Sequence, residues 1–221
     1  MLLAVDTSTS QTGLALYDGD KVLGEMTWTT RQHHTAELSP ALSGLLKRCG
    51  VTMSMLHALG VAIGPGSFTS LRVGLSLIKG IALARSLPVM GISTLDVIAA
   101  AQPLSKHALV AVLQAGRTRF AFGVYQAAKK QWQAEGPVRS GTLDELLAEF
   151  EGPAVIAGEF TSDERKKISK VKKLQLASPA MCVRRPAVLA ELAWQRWQDH
   201  DVDDAAALAP IYLHVAGTPI S

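Results

Sequence analysis

One stretch constrains this chain more than any other. The apolar run Ala58-Leu59-Gly60-Val61-Ala62-Ile63 reads as a strand, Gly64-Pro65-Gly66-Ser67 as a tight turn, and Phe68 to Arg85 as a long apolar helix. Gly64 and Gly66 give the turn backbone freedom, and Pro65 stiffens it. Ser67 or Thr69 is suited to cap the helix. A strand, a glycine-rich turn and a helix N-terminus make a natural anion site, because free N–H groups and the helix dipole point the same way. Spacing alone favours a plainer reading, a connection that needs glycine on steric grounds.

The helix after the turn carries two apolar stripes. Leu71, Leu75, Ile78 and Ala82 form one, and Val73, Leu77, Ile81 and Ala84 the other. One stripe suffices to cover a sheet, so two imply burial on two sides, within the chain or against a partner. Gly74 and Gly80 each weaken the helix by about 1 kcal/mol relative to Ala, which points to close approach by another group.

The order of elements repeats. Leu2 to Asp6, Gly13 to Tyr17 and Lys21 to Trp28 read as three antiparallel strands, with Asp18-Gly19 as a hairpin turn. A helix with Leu38, Leu42 and Leu45 on one side follows, starting at Ser39-Pro40 or near Thr35 with a bend at Pro40. Strands and helices recur from Ala108, with a capping box at Thr142-x-x-Glu145 and a last helix starting near Pro186. Pro210-Ile211-Tyr212-Leu213 reads as a final extended piece and residues 216–221 as a frayed tail. This predicts an α/β protein of two duplicated βββαβα-type halves, residues 1–103 and 104–221, the second with shorter helices.

Composition sets outer limits. Cys49 and Cys182 make neither a metal spacing nor a disulfide framework, so a reduced, cytoplasmic setting is expected. No apolar run has the length of a membrane span, and the N-terminus lacks the features of a signal peptide. The net charge of +3 does not identify a nucleic-acid binder. The basic stretch Arg165-Lys166-Lys167-Ile168-Ser169-Lys170-Val171-Lys172-Lys173 reads first as a solvated helix and the start of an edge strand, and second as a phosphate-contacting patch.

Four segments together resemble the bacterial TsaB (YeaZ) family. They are Leu3-Ala4-Val5-Asp6-Thr7-Ser8-Thr9, Gln32-His33-His34-Thr35-Ala36-Glu37-Leu38, the glycine stretch from Gly64 to Gly74, and Gly91-Ile92-Ser93-Thr94-Leu95. Leu113 to Arg117 and Pro210 to Leu213 match later landmarks more loosely, and Ser70 stands where the family usually has Gly. The resemblance implies an actin-like, Hsp70-like (ASKHA) fold. It implies a cytoplasmic scaffold subunit of the complex that places threonylcarbamoyl on N6 of adenosine 37 in tRNAs reading ANN codons. Its expected partners are TsaD and TsaE, with tRNA met through the complex and a homodimer when alone. No cofactor of its own is implied, since ATP and metal belong to the partners or to a shared interface.

TsaD relatives carry two histidines four residues apart where this chain has Thr94 and Ile98. Thr is a poor ligand and Ile is none, so no metal site and no catalytic residue are expected. Adjacent His33 and His34 point apart on a helix and fit burial or capping better than metal binding. Asp6, Thr7 and Ser8 with Gly64, Gly66 and Ser67 form a vestigial nucleotide or anion loop; Asp6 either orients a phosphate or magnesium or caps its own turn. The expected partner interface is Leu38, Leu42, Leu45, Leu71, Leu75, Ile78 and Ala82 in a helical bundle. The alternative is an ATP-dependent enzyme of the actin/sugar-kinase class or a peptidase acting on TsaD. A kinase needs a second phosphate loop, and Gln114-Ala115-Gly116-Arg117-Thr118-Arg119 offers no acidic residue to hold magnesium.

Overall fold

The computed structural model describes residues 1–30, 34–116, 118–150 and 152–211. Gln32, His33, Arg117, Tyr212, Leu213 and the 216–221 tail, which figured in the sequence expectations, lie outside the described residues. The chain forms two units, one of residues 1–97 with 184–210, the other built on residues 98–183.

In the first unit, β1 (Leu2–Asp6), β2 (Gln11–Tyr17), β3 (Val22–Thr29), β4 (Ala58–Gly64) and β5 (Val89–Ser93) form one sheet in the order β3-β2-β1-β4-β5. β2 and β3 are antiparallel neighbours, while β1, β4 and β5 run parallel. β1 is buried at every position, as a central strand covered on both faces should be. α1 (His34–Cys49) and α2 (Phe68–Arg85) lie on one face. Leu38, Leu42, Leu45, Leu75, Ile78 and Ala82 pack there against Leu3, Val5, Leu14 and Leu16. Pro40 lies inside α1, so the helix starts at His34 and not at Ser39-Pro40.

The opposite face is covered by α6 (Pro186–Gln198), whose Leu189, Ala190 and Ala193 pack against Leu2, Ala4, Ala15 and Ala62. This corrects the expected division at 103/104. α6 closes the first unit because the second face of a fully apolar sheet must be buried by something. Small residues let it come close: a Cβ on Gly60 would sit 2.7 Å from that of Ala193. Beyond the helix, the Asp203 amide donates to the Val89 carbonyl (2.9 Å), and the Asp203 carboxylate accepts from the Gly91 amide (2.7 Å). Arg196 binds both Asp201 and Asp203, which raise its already high pKa further.

The second unit repeats the topology. β6 (Ala108–Gln114), β7 (Phe120–Ala128), β8 (Gln131–Gly141), β9 (Ala154–Gly158) and β10 (Leu174–Leu176) form a sheet in the order β10-β9-β6-β7-β8. Read from the other edge, this is the order of the first sheet. α4 (Leu143–Ala148) starts at the expected capping box of Thr142 and Glu145, and α5 (Ser162–Ser169) at one made by Thr161 and Glu164. Both are short, as expected. The short α3 (Thr94–Ala100) contains the boundary between the units.

Leu189 is fully buried in the first unit although it lies far along the chain. Leu189→Ala is expected to cost about 2–5 kcal/mol, measured by urea unfolding. Faster amide exchange should appear in β1 and β4, and exchange confined to β6–β10 would contradict this assignment.

Candidate functional site: the first loop and the glycine turn

The loop after β1 and the turn after β4 meet as one hydrogen-bonded knot. The Ser67 amide donates to the Ser8 carbonyl (2.7 Å). Gly66 lies so close that a Cβ there would collide with that same carbonyl oxygen. Thr7 enters the first turns of α2, where its hydroxyl donates to the Ser70 carbonyl (2.7 Å) and accepts from the Gly74 amide (3.1 Å). A Cβ on Gly74 would sit 2.5 Å from Thr7 Oγ1, so this glycine marks the close approach its sequence position suggested. Gly80 differs: a Cβ there would meet no atom within 4 Å among the described residues. Ser67 caps α2, and Ser70, at the family's usual Gly position, donates its hydroxyl to Ser67 Oγ (3.0 Å).

Asp6 is buried at the base of the knot. Its Oδ1 accepts from the Ser8 amide (2.8 Å), the turn-capping role expected from the sequence. Its Oδ2 is taken by Arg184 Nε (2.8 Å). The Arg184 guanidinium, also buried, donates further to Thr9 Oγ1 (2.9 Å) and the Gln11 carbonyl (2.8 Å), and the Arg184 amide to Gln11 Oε1 (2.9 Å). The residues of the expected vestigial loop are therefore brought together, but their polar groups serve one another. Sequence reading missed Arg184. It stands beside Arg185, which pairs at the surface with Glu25, and nothing local distinguishes the buried arginine from the exposed one.

Thr94, at the start of α3, is buried, and its hydroxyl lies 2.8 Å from Ser8 Oγ. Ile98 is buried hydrocarbon. No group of three or more His, Cys, Asp or Glu able to hold a metal occurs among the described residues. His34 is buried at the start of α1 with Nδ1 2.9 Å from Thr12 Oγ1. Burial lowers its pKa below the ordinary value of 6.5, against smaller opposing pulls from Glu37 and Asp6. A polar pocket of about 520 Å³ beside it is lined by Ser10, His34, Ser67, Thr69 and Ser70.

The expected interface residues Leu38, Leu42, Leu45, Leu71, Leu75, Ile78 and Ala82 are all buried in the chain's own core. They cannot face a partner, because this inner stripe seals α1 and α2 to the sheet. The second stripe is the outward one: Val73, Leu77 and Ile81 are half-buried, Ala84 is exposed, and Leu83 beside them is 86% exposed. A groove of about 540 Å³ between α1 and α2 is lined by Leu38, Phe68, Arg72, Val73 and Leu77, with the Arg72 guanidinium 3.6 Å from the Phe68 ring centre. In the basic stretch, Lys166 pairs with Asp163, Lys167 with Asp144, and Arg165 donates to the Ala177 carbonyl.

A family model described as TsaD, tRNA N6-adenosine threonylcarbamoyltransferase, matches residues 21–181. The tRNA threonylcarbamoyladenosine biosynthesis protein TsaB of Bacillus subtilis is 29% identical over 220 residues, 97% of this chain and 94% of that protein. The chain belongs to the TsaD-type family, on its TsaB (YeaZ) branch. YeaZ from Pseudomonas aeruginosa has the same fold, with a TM-score of 0.79 at 23% identity over 96% of this chain and 99% of that one. The ROK hexokinase of Thermus thermophilus superposes at a TM-score of 0.50, 13% identical, over 90% of this chain and 99% of that one. The architecture is thus the expected ASKHA type.

Removing Arg184 strands a buried carboxylate. Arg184→Met is expected to cost about 3–5 kcal/mol in urea unfolding. Adding Asp6→Asn should recover a substantial part, and no recovery would mean the two residues are not coupled.

His34 gives a pH signature. The unfolded chain binds its proton near pH 6.5 and the folded chain only at lower pH. His34 therefore supports folding fully above about pH 6.5, and that support is lost as pH falls through the folded value. The urea midpoint should drop between pH 7.5 and 5.5, and the drop should be smaller in His34→Gln.

Proposed function

We propose that this chain acts in tRNA threonylcarbamoyladenosine biosynthesis as a non-catalytic subunit that pairs with TsaD through the outward faces of α1 and α2. The pathway assignment is supported by the family match and by the B. subtilis relative, aligned over nearly the whole of both chains. The observation that carries the non-catalytic reading is the Asp6–Arg184 pair. In an ATP-using member of this fold the first-loop carboxylate serves a phosphate or metal; here an internal guanidinium holds it. Thr94, whose hydroxyl is committed to Ser8, and Ile98 add no metal donor.

The docking reading rests on the outward stripe of α2. Val73, Leu77 and Ile81 are only half-buried along it, and Phe68 and Leu83 of the same helix are exposed, Leu83 at 86%. Their neighbours on α2 include few charges, as suits an interface centre. TsaE joins the pair, and ATP and metal belong to the partner subunits. The same face serves a second copy of the chain when TsaD is absent.

Co-purification with TsaD tests this. Leu77→Glu and Leu83→Glu should each reduce recovery of TsaD at least tenfold while the circular dichroism spectrum stays native. Charges at Leu75 or Ile78 would unfold the chain and are uninformative. Undiminished pairing by both folded variants would sink the proposal, and ATP turnover by the isolated chain would revive the enzyme reading.

A further inference from the structure

We propose that one end of the second unit binds the phosphate backbone of RNA. β6, β9 and β10 run parallel and β7 antiparallel to them. The starts of β6 and β10 and the β7–β8 turn therefore share one end of the sheet. Lys106 precedes β6, Lys129 and Lys130 form the β7–β8 turn, and Lys172 and Lys173 precede β10, with Lys170 capping α5 just before them. All six lysines are exposed. No carboxylate occurs in 103–108, 128–133 or 170–175. Of the two preceding β9, Glu149 is paired with Arg139, and Glu151 lies outside the described residues.

The turn is the telling part. Ala128 pairs with Gln131, so the loop has two residues, and φ is 49° at Lys129 and 65° at Lys130. Such a turn strongly favours Asn-Gly, because both residues must adopt a left-handed conformation that β-carbons oppose. A Lys-Lys pair sets charge where conformation argues for something else, which is the mark of a functional constraint. Guarding a sheet edge explains lysines beside β10. It accounts less well for Lys129 and Lys130, which sit in the two-residue turn itself and not along the open edge strand β8 that follows it. From β10 to β7 is three strand spacings, about 14 Å, enough to meet several phosphates of one backbone. Phosphate contact by lysine is independent of sequence, so the partner is a nucleic acid recognised by charge. Its identity as tRNA rests on the pathway reading above.

The test uses the full chain and unmodified tRNA, titrated by fluorescence anisotropy over a series of KCl concentrations. A variant with Lys106, Lys129, Lys130, Lys172 and Lys173 each changed to Gln should bind at least tenfold more weakly at low salt. Its slope of log affinity against log salt should be shallower by about 2 or more. Lys129→Asn with Lys130→Gly should raise Tm while weakening tRNA binding, which separates charge from folding. Lys47→Gln with Arg48→Gln on α1 should leave binding unchanged. Equal affinity and slope in wild type and the five-lysine variant would overturn the proposal. So would lysine-dependent binding to phosphatidylglycerol vesicles with tRNA binding unaffected. TsaD co-purification, run alongside, reads the pathway assignment separately: its loss in wild type would remove that reading, while the tRNA titration of the chain alone still decides this one.

Discussion

The buried pair of Asp6 and Arg184 ties together what the chain keeps far apart. Asp6 ends the central strand β1, and Arg184 lies just before α6, the helix that covers the far face of the same sheet. Neither charge is tolerable in the interior without the other, so the pair can form only when α6 is docked. Ser8, Thr9 and Gln11 meet further donors and acceptors around it. The pair closes the loop that could have faced a ligand with a residue from the end of the domain. One interaction links the discontinuity of the first unit in sequence to the closing of its first loop.

The glycine turn follows from that closure. A cradle for an anion needs backbone N–H groups with no partner. Here the Ser67 amide is bonded to the Ser8 carbonyl on the first loop, and the Ser70 amide to Ser67 Oγ. Gly66 and Gly74 are glycine because the loop presses against them. Of the two readings the sequence left open, the steric one accounts for these glycines, and the anion reading keeps only the hydroxyl-lined pocket beside the α2 N-terminus.

Much of this was readable in advance, and the reason is local. The Asp18-Gly19 hairpin, the capping box at Thr142, the Ser67 cap and the Pro186 helix start depend on residues within a few positions of one another. The repeated order of elements along the chain was readable for the same cause. What escaped was long-range. The last helix has the composition of a cover for any apolar sheet face, and nothing in its sequence tells which of two similar sheets it covers. Arg184 likewise looks like its neighbour Arg185 until Asp6 is placed beside it.

The two stripes of α2 show the same limit from another side. Periodicity finds both, because both recur at helical spacing, yet it does not orient the helix. Orientation is fixed by Thr7, which bonds across Ser70 and Gly74 and so turns that side of α2 toward the first loop. Ser70 and Gly74 border the buried stripe of Leu71, Leu75, Ile78 and Ala82, while Leu77 and Ile81, three and seven residues beyond Gly74, continue along the Thr7 side and stay half-buried against the core. A threonine hydroxyl and one missing β-carbon therefore set one edge of the buried face of α2, and Leu77 and Ile81 lie along that edge, partly covered, with Leu83 out in water.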